Sequence, residues 1–373
     1  MAKRYHVSDI LAQFLPAYRQ QHALSYQQAK SCQHIMDCRT AKLGIQQWQC
    51  NRCDYEQLHY CSCRDRHCPR CQGQKTQQWV QEQKAQVINT RYFHLVFTLP
   101  HELNVITHYA QPELYSALFE AVSKTLSKFA HNRKHLKGQL GITMVLHTWG
   151  QTLSQHIHMH CLVPGGVLDA ANHWQSVKTD YLFPVKALSR VFKAKMFEAL
   201  RSRNVSIPHA DKLMATKWCV YSKACLTKPE TVIKYLSRYT QKGMLSETRL
   251  RSVDEQNVTF YYRDYCQLKG LKTMTLSGIE FVRRYLSHIL PKGFMRVRHY
   301  GFLSNCCRRK KLTLIQKQTH NDKPNKEDSP PTTCSHHWAC PKCKQGELLL
   351  MGLNTPLIHQ HNHNQERRYR LTG

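Results

Sequence analysis

Three histidines at alternate positions, His156, His158 and His160, stand in the segment QHIHMHCLVPGG. In an extended strand alternate side chains share a face, about 6.6 Å apart at a rise of about 3.3 Å per residue. Ile157, Met159 and Cys161 then turn toward a core, and the imidazoles form a row on the opposite side. Such a row on a rigid strand suits one divalent metal ion. In a chain with 24 histidines it also fits a polar strand face that holds nothing. Farther along, KPETVIKYLSRYTQKG carries Tyr235 and Tyr239, with Pro229 and Glu230 suited to a first helical turn and Gly243 to a stop. Four residues apart on a helix, the two phenols share a face and reach one point in space; they equally suit packing a helix against a sheet. Lys234, Arg238 and Lys242 make that helix basic.

Cysteine supplies the other chemistry. Cys50-x-x-Cys53 and Cys68-x-x-Cys71 are two knuckles separated by 14 residues, the spacing of a four-cysteine zinc ribbon. Each tight turn puts two thiolates on one side, and two turns complete a tetrahedron. Zinc there contributes on the order of 10 kcal/mol to folding a small module without a large core. His34, Cys38, Cys63 and His67 interleave with these four as a possible second site, for which His59, Cys61 and Cys32 compete. In the tail, Cys340-Pro-Lys-Cys343 repeats the knuckle, with Cys334 and His337 as possible partners.

These groups need elements to hold them. RYFHLVFTLP (91–100) reads as a strand, and 112–130 as a helix. GITMVLHTWG (141–150) and HIHMHCLV (156–163) read as a hairpin. A helix near 186–202, strand 217–226, helix 229–241, strand 258–265 and helix 276–290 follow. The pattern predicts an α+β fold, an antiparallel sheet with helices on one face, plus a small N-terminal zinc-binding domain. The expected division is a cysteine-rich zinc-binding domain over 1–84, an α+β domain over 85–312, a flexible linker over 313–333 and a short basic tail over 334–373.

Lysine and arginine number 54 against 24 acidic residues, a net charge of +30. An excess of that size calls for a polyanionic partner, nucleic acid before any other. Arg64, Arg66, Arg70 and Lys75 in the head, and Arg296 and Arg298 farther on, are the expected phosphate contacts. No apolar run approaches a membrane span, and the N-terminus does not read as a secretory signal. An intracellular, reduced setting is expected, where 17 cysteines are explained by metal sites and buried thiols rather than disulfides.

Taken together, CRTAKLG (38–44), CSCRDRHCPRCQ (61–72), LHTWGQTLSQHIHMHCLVPGG (146–166), YLSRYT (235–240) and LPKGFMRVRHYGFL (290–303) resemble a rolling-circle transposase of the IS91 type. These are two-tyrosine members of the HUH endonuclease superfamily. The resemblance spans nearly the whole chain, with Ile157 where relatives commonly carry proline. It implies a ferredoxin-like nuclease core in a bacterial, cytoplasmic, nucleoid-associated protein. It implies that His158 and His160 hold Mg²⁺ or Mn²⁺, with His147 as third ligand by analogy to relaxase triads and His156 in reserve. Structural Zn²⁺ would sit in the head.

The activity so implied is nicking and rejoining of single-stranded DNA at insertion-sequence ends through a 5′-phosphotyrosine on Tyr235 or Tyr239. No P-loop motif is present, so unwinding would fall to host replication or helicase machinery. A replication initiator or relaxase would share this core. A non-enzymatic zinc-finger nucleic-acid-binding protein is the rival of another class.

Overall fold

The computed structural model describes residues 4–72, 87–132, 136–225, 243–264, 270–319 and 338–354. Its centre is a five-stranded antiparallel sheet in the order β12-β4-β5-β3-β8, formed by Val297–Gly301, Gly141–Trp149, Gln155–Pro164, Tyr92–Thr98 and Val220–Cys225. The expected hairpin is β4–β5. Helices Gln111–Asn132 and Val185–Arg201 pack against each other and against one face of this sheet. Ile157, Met159, Cys161 and Val163 of β5 point into that core, beside Leu95 and Phe97 of β3 and Leu114, Leu118 and Phe192 of the helices. The alternation in β5 thus leaves its even-numbered residues on the other face, as a half-buried strand requires. The fold is the expected α+β arrangement.

A second core gathers the N-terminal helices Val7–Gln21 and Tyr26–Asp37, helix Gly278–Ser287 and a three-stranded sheet of β9, β10 and β11, Leu250–Val253, Asn257–Arg263 and Leu271–Ser277. Phe14 fills the space left by the missing side chain of Gly278, where a Cβ would sit 2.1 Å from its ring. The N-terminal helices therefore share apolar packing with residues near 280, rather than enclosing a core within 1–84.

A third layer is a four-stranded sheet in the order β13-β14-β1-β2, formed by Trp338–Ala339, Glu347–Asn354, Ile45–Cys50 and Glu56–Tyr60. The tail is thus part of the head: β14 pairs antiparallel with β1 from Ile45↔Asn354 to Cys50↔Leu348. Residues 313–319, expected in the linker, complete the helix Arg308–Thr319. Leu312 and Ile315, one turn apart, bury against Phe302, Leu303 and Ile88. β11 was invisible to the pattern because LKTMTLS buries only one side chain well, Leu276. Among the described residues no helix is long and apolar enough to cross a membrane.

Candidate metal and nucleic-acid sites

His147, His158 and His160 converge. His147 of β4 lies opposite His158 of β5 in the ladder, and His160 is its diagonal neighbour beyond Val145. Ring centroids are 5.3 Å apart for His147 and His158, 4.5 Å for His147 and His160, and 4.8 Å for His158 and His160. One ring nitrogen from each lies within 4.8 Å of the others. Cross-strand neighbours on one face stand close enough to interact, so the ladder brings the rings together without any loop. His156 is exposed and stands outside this group, its ring 4.9 Å from that of His158.

Two of the three histidines, His158 and His160, are also oriented by a partner. The Nδ1–H of His158 donates to the carbonyl of His156 at 2.8 Å, which leaves Nε2 as the ligand atom. His160 Nδ1 is 2.9 Å from Nε2 of His94 on β3, and the two rings stack. Burial pulls His158 and His94 down to about 4. Burial, then the neighbouring imidazoles, hold His160 well below the ordinary histidine range. Neutral imidazole is the form that ligates metal, so at neutral pH His158 and His160 are ready for a divalent ion. The residues fit such an ion.

Beside the triad the β4–β5 register shifts between His147 and Trp149. Bulges of this kind re-aim side chains next to active sites. Here the Trp149 ring stacks on His147 at 4.6 Å, and the Arg296 guanidinium lies 5.6 Å from the Trp149 ring centre. Burial, together with the Arg66 charge, pulls Arg296 down to about 10. Thr148 is held by the buried His288, whose Nε2–H donates to the Leu153 carbonyl at 3.0 Å and whose Nδ1 lies 3.2 Å from the threonine hydroxyl. Residue type and spacing do not single out Trp149 or His288, which only the fold brings to the site. His94 carried a signal in RYFHLVFTLP, as a polar residue on an otherwise apolar strand.

The cysteines group differently from their order in the chain. Cys50 and Cys53 meet Cys340 and Cys343, whereas Cys68 and Cys71 meet Cys38 and Cys63. Sulfur–sulfur separations are 3.7 Å for Cys50 and Cys343, 3.7 Å for Cys53 and Cys340, 3.5 Å for Cys38 and Cys71, and 3.6 Å for Cys63 and Cys71. A tetrahedral zinc with bonds of about 2.3 Å sets its sulfurs about 3.8 Å apart. Each quartet fits one zinc ion. The expected ribbon of Cys50, Cys53, Cys68 and Cys71 is therefore corrected. A knuckle offers half a tetrahedron, and β1–β14 pairing brings the tail knuckle to the first one. Meanwhile Cys38, at the end of helix Tyr26–Asp37, lies beside the other. Amides help: Arg52 N–H donates to Cys50 Sγ and Gly346 N–H to Cys343 Sγ, both at 3.3 Å. The Gln345 and Gly346 amides bring the Cys343 thiol down to about 6.

His34 and His67 are not in either quartet. Both face Asp65, through Nδ1 at 3.3 and 3.0 Å. Burial opposes ionisation of Asp65, but these two histidines and the His67 amide outweigh it and hold the carboxyl well below the usual range. His67 Nε2 accepts from the Leu290 amide at 3.1 Å, and Tyr285 donates to the His67 carbonyl at 2.8 Å. Arg66 donates to the Pro291 carbonyl at 2.8 Å and to the Phe294 carbonyl. The segment expected to meet phosphates thus grips the turn that leads into β12. Arg298 lies 4.2 Å over the Phe119 ring. Arg64 is exposed, and Arg70 donates to the Cys38 carbonyl at 3.2 Å.

Tyr235, Tyr239, Lys234, Arg238, Lys242, Lys75, Cys334 and His337 lie outside the described residues. The chain after the tyrosines resumes at Gly243 against Gln72, and Met244 and Leu245 bury in the core that holds Cys68, Cys71 and Leu153. Met244 and Trp149 line one cavity of about 90 Å³.

Residues 141–311 match a family model described as "Putative transposase", and residues 10–99 one described as "Transposase zinc-binding domain". The chain is 36% identical over 373 residues to the "Putative transposase y4qJ" of Sinorhizobium fredii, covering 92% of this chain and 94% of the relative. It is 28% identical over 291 residues to the transposase for insertion sequence element IS801 of Pseudomonas savastanoi pv. phaseolicola, covering 73% and 69%. Among solved structures, a conjugative relaxase TrwC in complex with oriT DNA is 13% identical and covers 63% of this chain and 92% of that one. Its TM-score of 0.29 is too low to establish a common fold.

Proposed function

Since the chain belongs to the IS91-type transposases, with an N-terminal transposase zinc-binding domain, we propose that it nicks and rejoins single-stranded DNA at insertion-sequence ends through a 5′-phosphotyrosine. The observation that carries this reading is the convergence of His147, His158 and His160 on one sheet face. A divalent ion held there, Mg²⁺ or Mn²⁺, would polarise the scissile phosphate. Imidazole ligands favour Mn²⁺ over Mg²⁺. The roles of the protein's own groups follow. The His156 carbonyl fixes the tautomer and aim of His158, and the His94 ring holds the aim of His160.

Tyr235 or Tyr239 is the nucleophile. A phenol with a pKa of about 10 is weak at neutral pH and needs in-line placement against an activated phosphorus. Its oxygen bonds to phosphorus as the P–O3′ bond breaks, the phenolic proton passing to solvent and one strand leaving with a free 3′-OH. Attack by another 3′-OH then releases the tyrosine and reseals DNA without ATP. With two tyrosines, one cleaves the donor end while the other serves the target or the next end.

Incubation of the protein with end-labelled single-stranded DNA and Mn²⁺ tests this. A denaturant-resistant adduct is expected that disappears when both Tyr235→Phe and Tyr239→Phe are present. Unchanged cleavage in the double variant would exclude the tyrosine mechanism.

A further inference from the structure

The head contains a groove of about 860 Å³ that the metal triad does not use. Its lining includes Arg39, Arg64 and Arg70, His59 and Tyr60 of the edge strand β2, and Trp338 from the tail. Trp338 is 41% exposed and Tyr60 47% exposed. Aromatic rings left open together beside arginines mark a binding surface. The Trp338 ring is held in place by Trp48 at 4.8 Å and His59 at 5.3 Å, so it is a fixed platform. Among the described residues the lining includes no aspartate or glutamate.

This chemistry selects its occupant. Guanidinium groups call for anions, and open aromatic faces call for flat rings that are not already stacked. A single strand of nucleic acid offers both at a regular spacing, whereas duplex bases hide their faces. We propose that the groove binds single-stranded DNA, its bases stacking on Trp338, Tyr60 and His59 and its phosphates meeting Arg39 and Arg64. The tail is thereby a DNA-binding element. Its tryptophan reaches the groove through the pairing of β13 and β14 with β1, which Cys340 and Cys343 secure by completing the quartet begun by Cys50 and Cys53. This rests on the reading of the chain as a protein that acts on single strands, but not on its tyrosine chemistry.

The test uses the full chain carrying Tyr235→Phe and Tyr239→Phe, without divalent metal, and a fluorescent oligothymidylate followed by anisotropy. Trp338→Ala should weaken binding by at least about fivefold, since one stacked base is worth about 1–3 kcal/mol. Arg39→Gln with Arg64→Gln should lower the slope of log affinity against log salt by about 0.7 per lost phosphate contact. Cys340→Ser with Cys343→Ser should weaken binding as Trp338→Ala does, with zinc content confirming that only one ion is lost. Binding unchanged by Trp338→Ala, or a duplex of equal length bound as tightly as the single strand, overturns the proposal. So does an acidic peptide that displaces the oligonucleotide no worse than a second oligonucleotide does. The adduct assay above runs independently, so failure of cleavage and failure of the groove are read apart.

Discussion

His147 faces His158 across the β4–β5 ladder, with ring centroids 5.3 Å apart. The two residues come from neighbouring strands of a sheet whose other face is filled by helices, so neither backbone can move without disturbing the core. His160 joins them from the next same-face position of β5. A donor set built on strands in this way is pre-positioned, and the histidine behind it, His94, becomes its tuning element.

His94→Ala should reduce Mn²⁺ affinity about 10- to 100-fold, the usual cost of removing an outer partner of a ligating imidazole. The expectation is read by titrating Mn²⁺ and following the free ion's electron-spin resonance, with zinc content unchanged. Affinity equal to wild type would mean that His94 does not orient His160.

Metal analysis should find two zinc ions per chain. Cys50→Ser with Cys53→Ser and Cys340→Ser with Cys343→Ser should each remove the same ion, and Cys68→Ser with Cys71→Ser the other. Co²⁺ substitution makes the partition visible through thiolate charge-transfer bands. If Cys50 and Cys68 variants extinguish one shared band, the quartets are not separate.

Removal of the His67 side chain leaves the Leu290 amide and the Asp65 carboxylate short of a partner at the seam between head and sheet. His67→Ala should destabilise the protein by about 1–3 kcal/mol in urea unfolding. Zinc occupancy should persist, because His67 is in neither cysteine quartet. Loss of zinc from this variant would instead identify His67 as a ligand.

Burial pulls His288 down to about 4 in the folded state, against about 6.5 when unfolded. The folded protein therefore resists a proton that the unfolded chain accepts. The sign is that stability from neutral His288 is fully present above about pH 6.5 and falls as acid is added toward pH 4, by about 3 kcal/mol across the window. His288→Gln should lack this component, so the stability difference between the two proteins should narrow or reverse from pH 7 to pH 4. A constant difference would show that His288 does not titrate in this window.

Much of this was readable from residue types at short range. The alternation QHIHMHCLV specified a strand with an apolar back because a period of two is a local property of the extended chain, and β5 follows it. The knuckles specified thiolate pairs for a similar reason, since a two-residue turn closes on itself. His147 is also within reach, eleven positions before His158 on the other strand of the hairpin that the pattern predicts.

What the chain could not say by spacing was which halves meet. Any CxxC turn complements any other, and Cys50 closes with Cys343 because β14 pairs with β1, a contact between opposite ends of the sequence. His34 and His67 looked like ligands in one dimension, yet three-dimensional packing put Asp65 between them and left the metal positions to cysteine. Residue chemistry and local period are written in the sequence itself. Partner choice is settled by which strands and helices bury one another, and that is a property of the whole fold.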